Sequence, residues 1–327
     1  MKSGVKFGLW LALASTVVAC GGGGTPSVTE SFTLLDWTSK ATLIPTITGV
    51  ANNGTVIGWG QTSPAGSIAQ SASFAWKNGT IELAQPVIDS RYLQIRSISP
   101  NGQYACGTVY MDYSGLVYRI NLTNGTTAIC VPPAYTYLGD ISPLFTSNTG
   151  VSTGILMKDS TPAEFSYTSG DSISITNITG GGVYPTPYHY YFRNSSLAAP
   201  AGQSSFQILG SSANQKFAVG KSGGHGCVWN VTTGTVMTID SDVPSESCVA
   251  TQISDDGSVA VCEIQGQAYL WTAATGKRKV ADLLHDRGFA TDFPVVTIQA
   301  LSADGHTVAG TLSDYSKSYQ LFVYRMP

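Results

Sequence analysis

The chain repeats one short pattern six times, and this repeat limits its possible folds more than any other feature. A polar turn, most often Asn-Gly or Asp-Gly, stands between two short apolar runs, as in LSADGHTVAG at 301–310. The intervals between successive turns are 48, 48, 65, 42 and 48 residues. Self-similarity at a period of roughly 20–50 residues is typical of repeat architectures. The turns end at Gly54, Gly102, Gly150, Gln215, Gly257 and Gly305.

A second feature follows each turn: an apolar residue, one spacer, then Trp or Tyr. In most units a glycine and another strand-like run come next, so each unit contains four candidate strands, A to D. Four-stranded units of about 40–50 residues predict an all-β fold, a six-bladed β-propeller of four-stranded blades over 31–327. Recurrence at one position predicts that these aromatic residues pack between blades rather than form six binding sites. They are Trp76, Tyr118, Tyr167, Trp229, Trp271 and Tyr324.

The ends of the chain predict how the propeller closes. The last unit stops just after its strand C, and the run Ser31–Leu35 precedes the first strand A, at Ile47–Val50. We predict that Phe32–Leu35 pairs with Leu321–Tyr324 as the outer strand of the last blade, which would cover its exposed edge.

The repeat resembles that of HAF-type extracellular repeat proteins, a bacterial secreted family. The shared pattern is apolar-Ser-x-Asp-Gly-x-x-Val-x-Gly, a variable loop, and then a Phe/Tyr-x-Trp strand. The resemblance covers most of 47–327, is best in the last two units, which include 282–288, and is poorest in the third. It implies a secreted or surface propeller and no established reaction.

The N-terminus has the features of a targeting segment. Lys2 and Lys6 precede an apolar run over 7–19, which is too short for a comfortable transmembrane helix. The run ends in Val-Val-Ala-Cys20 and four glycines, which resembles a lipoprotein lipobox with Val in place of the usual Leu. We expect a signal peptide over 1–19, then lipidated Cys20 and a flexible tether over 20–30, on a protein anchored in the bacterial envelope, at the outer membrane or cell surface. The alternative is an ordinary secretory signal with a chance cysteine.

Composition excludes one class of partner and gives no sign of a cofactor. Charged residues are 11% of the chain, the formal net charge is −3, and no basic block occurs. Nucleic-acid binding, which depends on many phosphate contacts, is therefore not expected. The five cysteines after Cys20 include no CxxC and the four histidines are scattered, so we expect no metal site. Cys248 and Cys262 flank the fifth turn nearly opposite each other and form a candidate disulfide.

Sequence signatures of catalysis are weak. A sialidase Asp-box has a residue between its Asp and Gly, whereas Asp and Gly are adjacent in these turns, so we interpret them as turn residues. No G-x-S-x-G elbow or P-loop is present. Asp282, His285 and Asp286 lie in a predicted short helix capped by Gly288. They could bind a metal, but ion pairing with Arg287 is the expected role.

One long insertion departs from the repeat. It lies at about 177–202 in the third unit, between a strand D and the next strand A, and contains the aromatic run VYPTPYHYYFR at 183–193. In propellers such D-to-A connections share one face with the B-to-C connections, so we predict one ligand-binding rim. The alternative is that the insertion covers that face or packs between blades. The candidate contacts are Trp59, Tyr110, Asp112, Tyr113, Tyr184, Tyr188, His189, Tyr190, Tyr191, Arg193, His225, Asp314 and Tyr315.

The function predicted from these features is a surface-anchored, monomeric binding or scaffold module for a glycan or a protein. Two alternatives remain open. One is a carbohydrate-active or other hydrolase that uses the same face, and the other is a purely structural envelope protein. Paired carboxylates at glycosidase separation would identify a glycosidase, but the sequence does not locate such a pair.

Overall fold

The computed structural model describes residues 29–35, 45–61, 71–84, 92–111, 114–130, 141–158, 161–167, 173–177, 207–240, 246–289, 293–314 and 319–327. This part of the chain is nearly all β-strand, with one short helix, so the predicted all-β class is confirmed.

The strands of the first half, in chain order, are β1 (Ser31–Leu35), β2 (Thr46–Val50), β3 (Val56–Gln61), β4 (Ser71–Lys77), β5 (Thr80–Ala84), β6 (Tyr92–Ile98), β7 (Tyr104–Met111), β8 (Ser114–Asn121), β9 (Thr127–Cys130), β10 (Ile141–Thr146), β11 (Ser152–Lys158), β12 (Thr161–Tyr167) and β13 (Ile173–Asn177). The second half contains β14 (Gln207–Ser211), β15 (Phe217–Ser222), β16 (His225–Asn230), β17 (Val236–Ile239), β18 (Cys248–Ile253), β19 (Val259–Ile264), β20 (Gln267–Thr272), β21 (Gly276–Lys279), helix α1 (Val280–Asp286), β22 (Val295–Leu301), β23 (Thr307–Ser313) and β24 (Tyr319–Arg325).

These strands form antiparallel units of four, as the repeat predicts. Four sheets have the orders β10-β11-β12-β13, β14-β15-β16-β17, β18-β19-β20-β21 and β1-β24-β23-β22. Strands β2 to β9 form a larger sheet of two such units, which a single parallel pair between Ser71 and Tyr92 joins. Within each unit the first three strands are the predicted A, B and C.

Each strand A contains a β-bulge opposite the small residue of strand B. In the last unit the pairing shifts between Ile298 and Ala300, and Gly310 lies across from Ile298. A Cβ atom on Gly310 would lie 1.9 Å from the carbonyl oxygen of Thr297, so only glycine fits this backbone approach. The recurrent Val-x-Gly therefore reflects a bulge that recurs with it. The fifth unit has Cys262 at this position.

The predicted pairing between the ends of the chain is confirmed. Strand β1 runs antiparallel to β24, with Phe32 opposite Tyr324 and Leu35 opposite Leu321. Strand β1 is thus the outer strand of the last unit. The packed region extends one residue further back, because Glu30, expected in the tether, accepts hydrogen bonds from Tyr324 and Arg287.

Helix α1 ends as predicted, but its ion pairs differ from the expected ones. The N–H of Gly288 donates to the carbonyl of His285 and that of Phe289 to the carbonyl of Leu284, a Schellman cap with Gly288 at a φ of 75°. The expected ion pairing within the helix is wrong. Asp286 instead pairs with Arg278 of β21 at 2.9 Å, and Arg287 pairs with Glu30 at 3.1 Å.

The hydrophobic core lies between neighbouring sheets, and the recurrent aromatic residues contribute to it. Tyr118, Tyr167, Trp229, Trp271 and Tyr324 are buried, which agrees with the predicted packing role, whereas Trp76 is only partly buried. The predicted alignment of the second unit is wrong by two residues. Strand-B Gly107 pairs with Tyr118, whereas Gly58 pairs with Phe74, so Tyr118 corresponds to Phe74 and Ile120 to Trp76.

Candidate functional site

The two ends of the sheets carry connections of different kinds. At one end, here called the turn face, lie the six A-to-B turns that end at Gly54, Gly102, Gly150, Gln215, Gly257 and Gly305. At the other end, here called the connection face, strand B leads to strand C and each unit leads to the next. The candidate ligand contacts predicted from the sequence were expected at the connection face.

Each A-to-B turn is a hairpin fixed by its own polar side chains. In the last turn the N–H of Gly305 donates to the Ser302 carbonyl at 3.0 Å, and the Ser302 hydroxyl donates to Asp304 Oδ1 at 2.6 Å. Asp304 Oδ1 also accepts from the N–H of His306. The six closing residues all have positive φ, including Gln215 at 59°. This geometry explains why Asn-Gly and Asp-Gly recur at this position.

Neighbouring turns are also hydrogen bonded to one another. Asn53 Nδ2 donates to the carbonyl of Asn101 at 3.1 Å, and the N–H of Asn101 donates to Asn148 Oδ1 at 2.9 Å. Further bonds join Asn214 to Asp255 (2.8 Å), Asp255 to Ala303 (2.7 Å), and Asp304 to Asn52 of the first unit (3.1 Å). Polar groups on the turn face are therefore largely used in holding units together.

Four of the predicted ligand contacts lie in the described part of the connection face. Trp59 is partly buried near the end of β3, and Tyr110 is close to the end of β7. His225 begins β16, and Asp314 follows the last residue of β23. Each lies near the end of a strand B or the start of a strand C, which is the end of the sheet where they were predicted.

His225 has a specific partner that the sequence analysis missed. Its Nδ1 lies 2.6 Å from Oδ1 of Asp240, and both side chains are more than half exposed. Asp240 follows strand D, and Gly226, next to His225, pairs with Ile239 at the end of that strand. Asp240 lies 15 residues after His225, too far for a short sequence motif, and the pairing of strands C and D is what brings the two together. In the tautomer with a proton on Nδ1, His225 donates this hydrogen bond to Asp240, which orients the ring.

The other predicted contacts lie outside the described residues. The insertion falls between β13 and β14, over 178–206, so it is a connection from strand D to the next strand A, as predicted. The contacts concerned are Asp112, Tyr113, Tyr184, Tyr188, His189, Tyr190, Tyr191, Arg193 and Tyr315.

The predicted disulfide is not formed in the structure. Cys248 and Cys262 are both free and buried. The bulge in β18 places Cys262 opposite Ala250 and Cys248 opposite Ile264, so the two thiols are diagonal rather than directly opposite. The hydrogen bond from Cys262 lowers the pKa of Cys248 to about 7, against the effect of burial. The same contact, together with burial, raises the pKa of Cys262.

The described residues contain no group of three or more His, Cys, Asp or Glu side chains that could hold a metal ion. Within the same part of the chain, no helix is long and apolar enough to cross a bilayer.

Comparison with known proteins identifies the fold but not a family. No protein-family model matches the chain, and no curated protein matches it in sequence. The β-propeller domain of the Trilobed protease from Pyrococcus furiosus, which has an open velcro topology, superimposes with a TM-score of 0.54 at 9% identity over 86% of this chain and 93% of that chain. A chain of the mitotic checkpoint complex gives a TM-score of 0.44 at 11% identity, covering 97% of this chain and 98% of its own. The β-propeller domain of Myceliophteria thermophila Cps50 (Swd1) gives 0.44 at 10%, covering 91% and 100%.

The four-stranded antiparallel units and the similarity to the first of these domains show that the chain is a β-propeller.

Proposed function

We propose that this protein is a six-bladed β-propeller that its N-terminal strand closes, and that it serves as a non-enzymatic binding or scaffold module. The number of blades is supported by the six turns and by contacts between the last unit and the first. Asp304 donates through its N–H to Asn52 Oδ1, and Gln299 Oε1 accepts from the N–H of Ile47 at 3.2 Å. Strand β1, paired with β24, supplies the outer strand that the last unit would otherwise lack.

The difference between the two faces carries the functional proposal. The turn face consists of short hairpins whose polar groups bond to one another, so this end is a rigid base. The connections at the other end differ widely in length, from two residues at 223–224 to the insertion over 178–206. Variable loops on a rigid scaffold are the usual location of binding sites. The ligand is therefore proposed to bind on the connection face.

The residue types on that face fit a glycan or a protein ligand. Aromatic side chains such as Trp59 and the tyrosines of 183–193 stack on sugar rings or pack on apolar peptide groups, with few charges nearby. His225, fixed by Asp240, offers a directed hydrogen bond from a well-defined ring orientation. Asp112, Arg193 and Asp314 would add polar contacts.

The test is an array of glycans and proteins probed with the secreted, non-lipidated Cys20→Ser form. The proposal predicts a ligand whose retention is lost when Tyr188, Tyr190 and Tyr191 are replaced together by Ala. A matched variant on the turn face, Lys216→Ala, should bind as the parent does. Unchanged retention by the triple variant, with the fold intact by circular dichroism, would exclude this loop as the site.

A hydrolase that uses the same face is the second candidate, and the His225–Asp240 pair is the observation that favours it. A histidine oriented by a carboxylate is one part of a hydrolytic site, which also needs a nucleophile or an activated water. The hydrolase is supported if the wild-type protein hydrolyses an array ligand and the His225→Gln variant does not. Binding without turnover by both proteins would support the module. A purely structural envelope role predicts no ligand in either assay.

We further propose that the protein is an HAF-type, monomeric lipoprotein of the bacterial envelope. The lipobox-like Val-Val-Ala-Cys20 supports a signal peptide over 1–19 and an acylated Cys20. The glycine-rich tether would then separate the propeller from the outer membrane or cell surface. Membrane contact would come through the lipid alone.

A further inference from the structure

A cavity opens on the turn face, between the last unit and the first. Its volume is about 210 Å³. Strands β1, β23 and β24 form one wall, and the first A-to-B turn and the end of β4 form the other. The lining residues are Ser31, Thr33, Asn53, Gly54, Thr55, Trp76, Lys77, Asn78, Thr307, Val323 and Arg325.

The junction between the second and third units shows what fills the corresponding space elsewhere. There the ring of Tyr104 packs on the turn glycine of the next unit, within 3.0 Å of where a Cβ atom on Gly150 would lie. The Arg119 guanidinium lies 5.8 Å from the Tyr104 ring centroid and donates to the Gly150 carbonyl at 3.0 Å. Phe217 packs on Gly257 in the same way between the fourth and fifth units. An aromatic ring is thus the filling at two junctions.

The junction between the last unit and the first lacks that ring. Thr307 stands two residues after the last residue of its turn, as Tyr104 and Phe217 do, but its side chain is short. A Cβ atom on Gly54 would meet nothing within 4 Å. Trp76 lines the open space and is only partly buried, as is Ile120 at the corresponding position of the second unit. The cavity therefore occupies the space that an aromatic ring takes at two other junctions and that Val259 takes beside Gly305, between the fifth unit and the last.

The described lining of the cavity also carries a net positive charge. Thr307 is fully buried, and it pairs directly across the sheet with Arg325. None of the eleven described lining residues is acidic, whereas Lys77 and Arg325 are cationic. Two cationic side chains and no acidic one in this lining favour an anionic occupant.

We infer that this cavity binds a small aromatic acid. The ring would lie over Gly54 against Trp76, where Tyr104 and Phe217 supply a ring at other junctions, and the carboxylate would meet Arg325 and Lys77. Its volume is below the roughly 300–1,000 Å³ of pockets for drug-sized ligands, so a single-ring molecule fits best. This site is on the opposite face from the proposed binding rim and does not depend on that proposal.

The test uses 4-hydroxybenzoate as the probe and the purified full chain, with ligand-observed NMR and isothermal titration as readouts. Thr307→Tyr should fill the cavity with a ring, as Tyr104 does between the second and third units. This variant should not bind 4-hydroxybenzoate, and its melting temperature should be unchanged or higher. Ser258→Tyr adds the same ring at an exposed position of the fifth A-to-B turn, outside the cavity, and should bind 4-hydroxybenzoate as wild type does. The comparison separates filling of the cavity from the general effect of a new tyrosine on the turn face.

A second pair of measurements tests the charge. Arg325→Gln should weaken 4-hydroxybenzoate binding by about tenfold or more, the usual loss for a charge-assisted hydrogen bond. The same variant should leave binding of p-cresol, which has the ring without the carboxylate, nearly unchanged. The inference is overturned if 4-hydroxybenzoate does not bind, or if Thr307→Tyr binds it as well as wild type does. It is also overturned if glucuronate, a carboxylate without an aromatic ring, binds to the cavity and 4-hydroxybenzoate does not. If Thr307→Tyr melts lower, the Arg325→Gln comparison decides.

Discussion

The Tyr324 hydroxyl donates a 2.6 Å hydrogen bond to the Glu30 carboxylate, across a sequence separation of 294 residues. The other carboxylate oxygen accepts from Arg287 at the end of α1, at 3.1 Å. Phe32 continues this contact, because its ring stacks 5.2 Å from Phe289 and 5.7 Å from Phe322. The start of the described chain is therefore joined to both the helix and the last strand.

Replacing Tyr324 by Phe should destabilise the protein without changing its fold. Burial, and then the Glu30 carboxylate beside it, raise the pKa of Tyr324, so its hydroxyl is a proton donor at neutral pH. Loss of a hydrogen bond to a charged group should lower the free energy of unfolding by about 1.5–3 kcal/mol. Urea unfolding measures the change. In a double-mutant cycle with Glu30→Ala the two effects should be non-additive, and simple additivity would show that the pair is not coupled.

Removing residues 28–36 should have a far larger effect. The deletion takes away β1, exposes the edge of β24, and uncovers Phe289 and Phe322. We expect aggregation or a large loss of thermal stability, because an unpaired strand edge beside exposed rings promotes association. Scanning calorimetry and light scattering measure both. Removal of 21–27 is the matched control, and an unchanged melting temperature for the longer deletion would remove the closure proposal.

The sequence predicted the architecture well because the repeat reports on local geometry. A turn that needs positive φ selects Gly or Asn, and a bulge that brings two backbones together selects Gly, so Gly305 and Gly310 recur at fixed positions. The pairing of Phe32–Leu35 with the last strand followed from counting strands. Such features depend on a few neighbouring residues, and each unit repeats them.

Features that depend on exact register were not predicted. A bulge in β18 shifted Cys248 relative to Cys262, and Cys262 itself stands where the other units have the glycine that marks the bulge. Tyr118 was assigned to the wrong strand position because the second unit has Ile120 where others have an aromatic residue. The His225–Asp240 contact joins residues that are distant in sequence. The cavity beside Thr307 results from a short side chain where other units have a larger one. Neither feature produces a sequence pattern.

Gly310→Ala should cost about 1–3 kcal/mol of stability, the usual range for overpacking. The new Cβ would lie 1.9 Å from the Thr297 oxygen and 3.1 Å from the Ile298 Cα, so the bulge must move. Thermal and urea unfolding measure the change. The matched substitution is Cys262→Ala, where the corresponding backbone already accommodates a Cβ atom, and it should cost less. Equal costs at the two positions would contradict this account of the recurrent glycine.

Cys20→Ser should release the protein from the membrane fraction. Acylation of Cys20 is the proposed anchor, and without it no acyl chain remains to hold the propeller at the bilayer. Cell fractionation and immunoblotting measure the distribution, and a serine substitution at Cys130 is the control. Retention of the Cys20→Ser form in membranes to the same extent would show that the anchor assignment is wrong.

The buried thiol pair predicts a specific dependence of stability on pH under reducing conditions. The Cys262 hydrogen bond lowers the pKa of Cys248 to about 7 from 9.0, while Cys262 is raised well above 9.0. Between about pH 7 and about pH 9 the folded pair holds one proton and the unfolded pair holds two, so stability rises with pH. Above about pH 9 the unfolded chain has released both protons and the folded one retains its own, so this contribution falls again.

Comparison of wild type with Cys262→Ala isolates that contribution. The difference in unfolding free energy should grow as pH rises through 7, because the variant lacks the hydrogen bond that favours the Cys248 thiolate. Cys106→Ala is the control, since burial raises the pKa of Cys106 to about 12 and it stays protonated throughout this range when folded. Its effect on stability should be nearly flat below the pKa of an unfolded thiol. A flat difference for Cys262→Ala as well would mean that the two sulfurs do not share a proton.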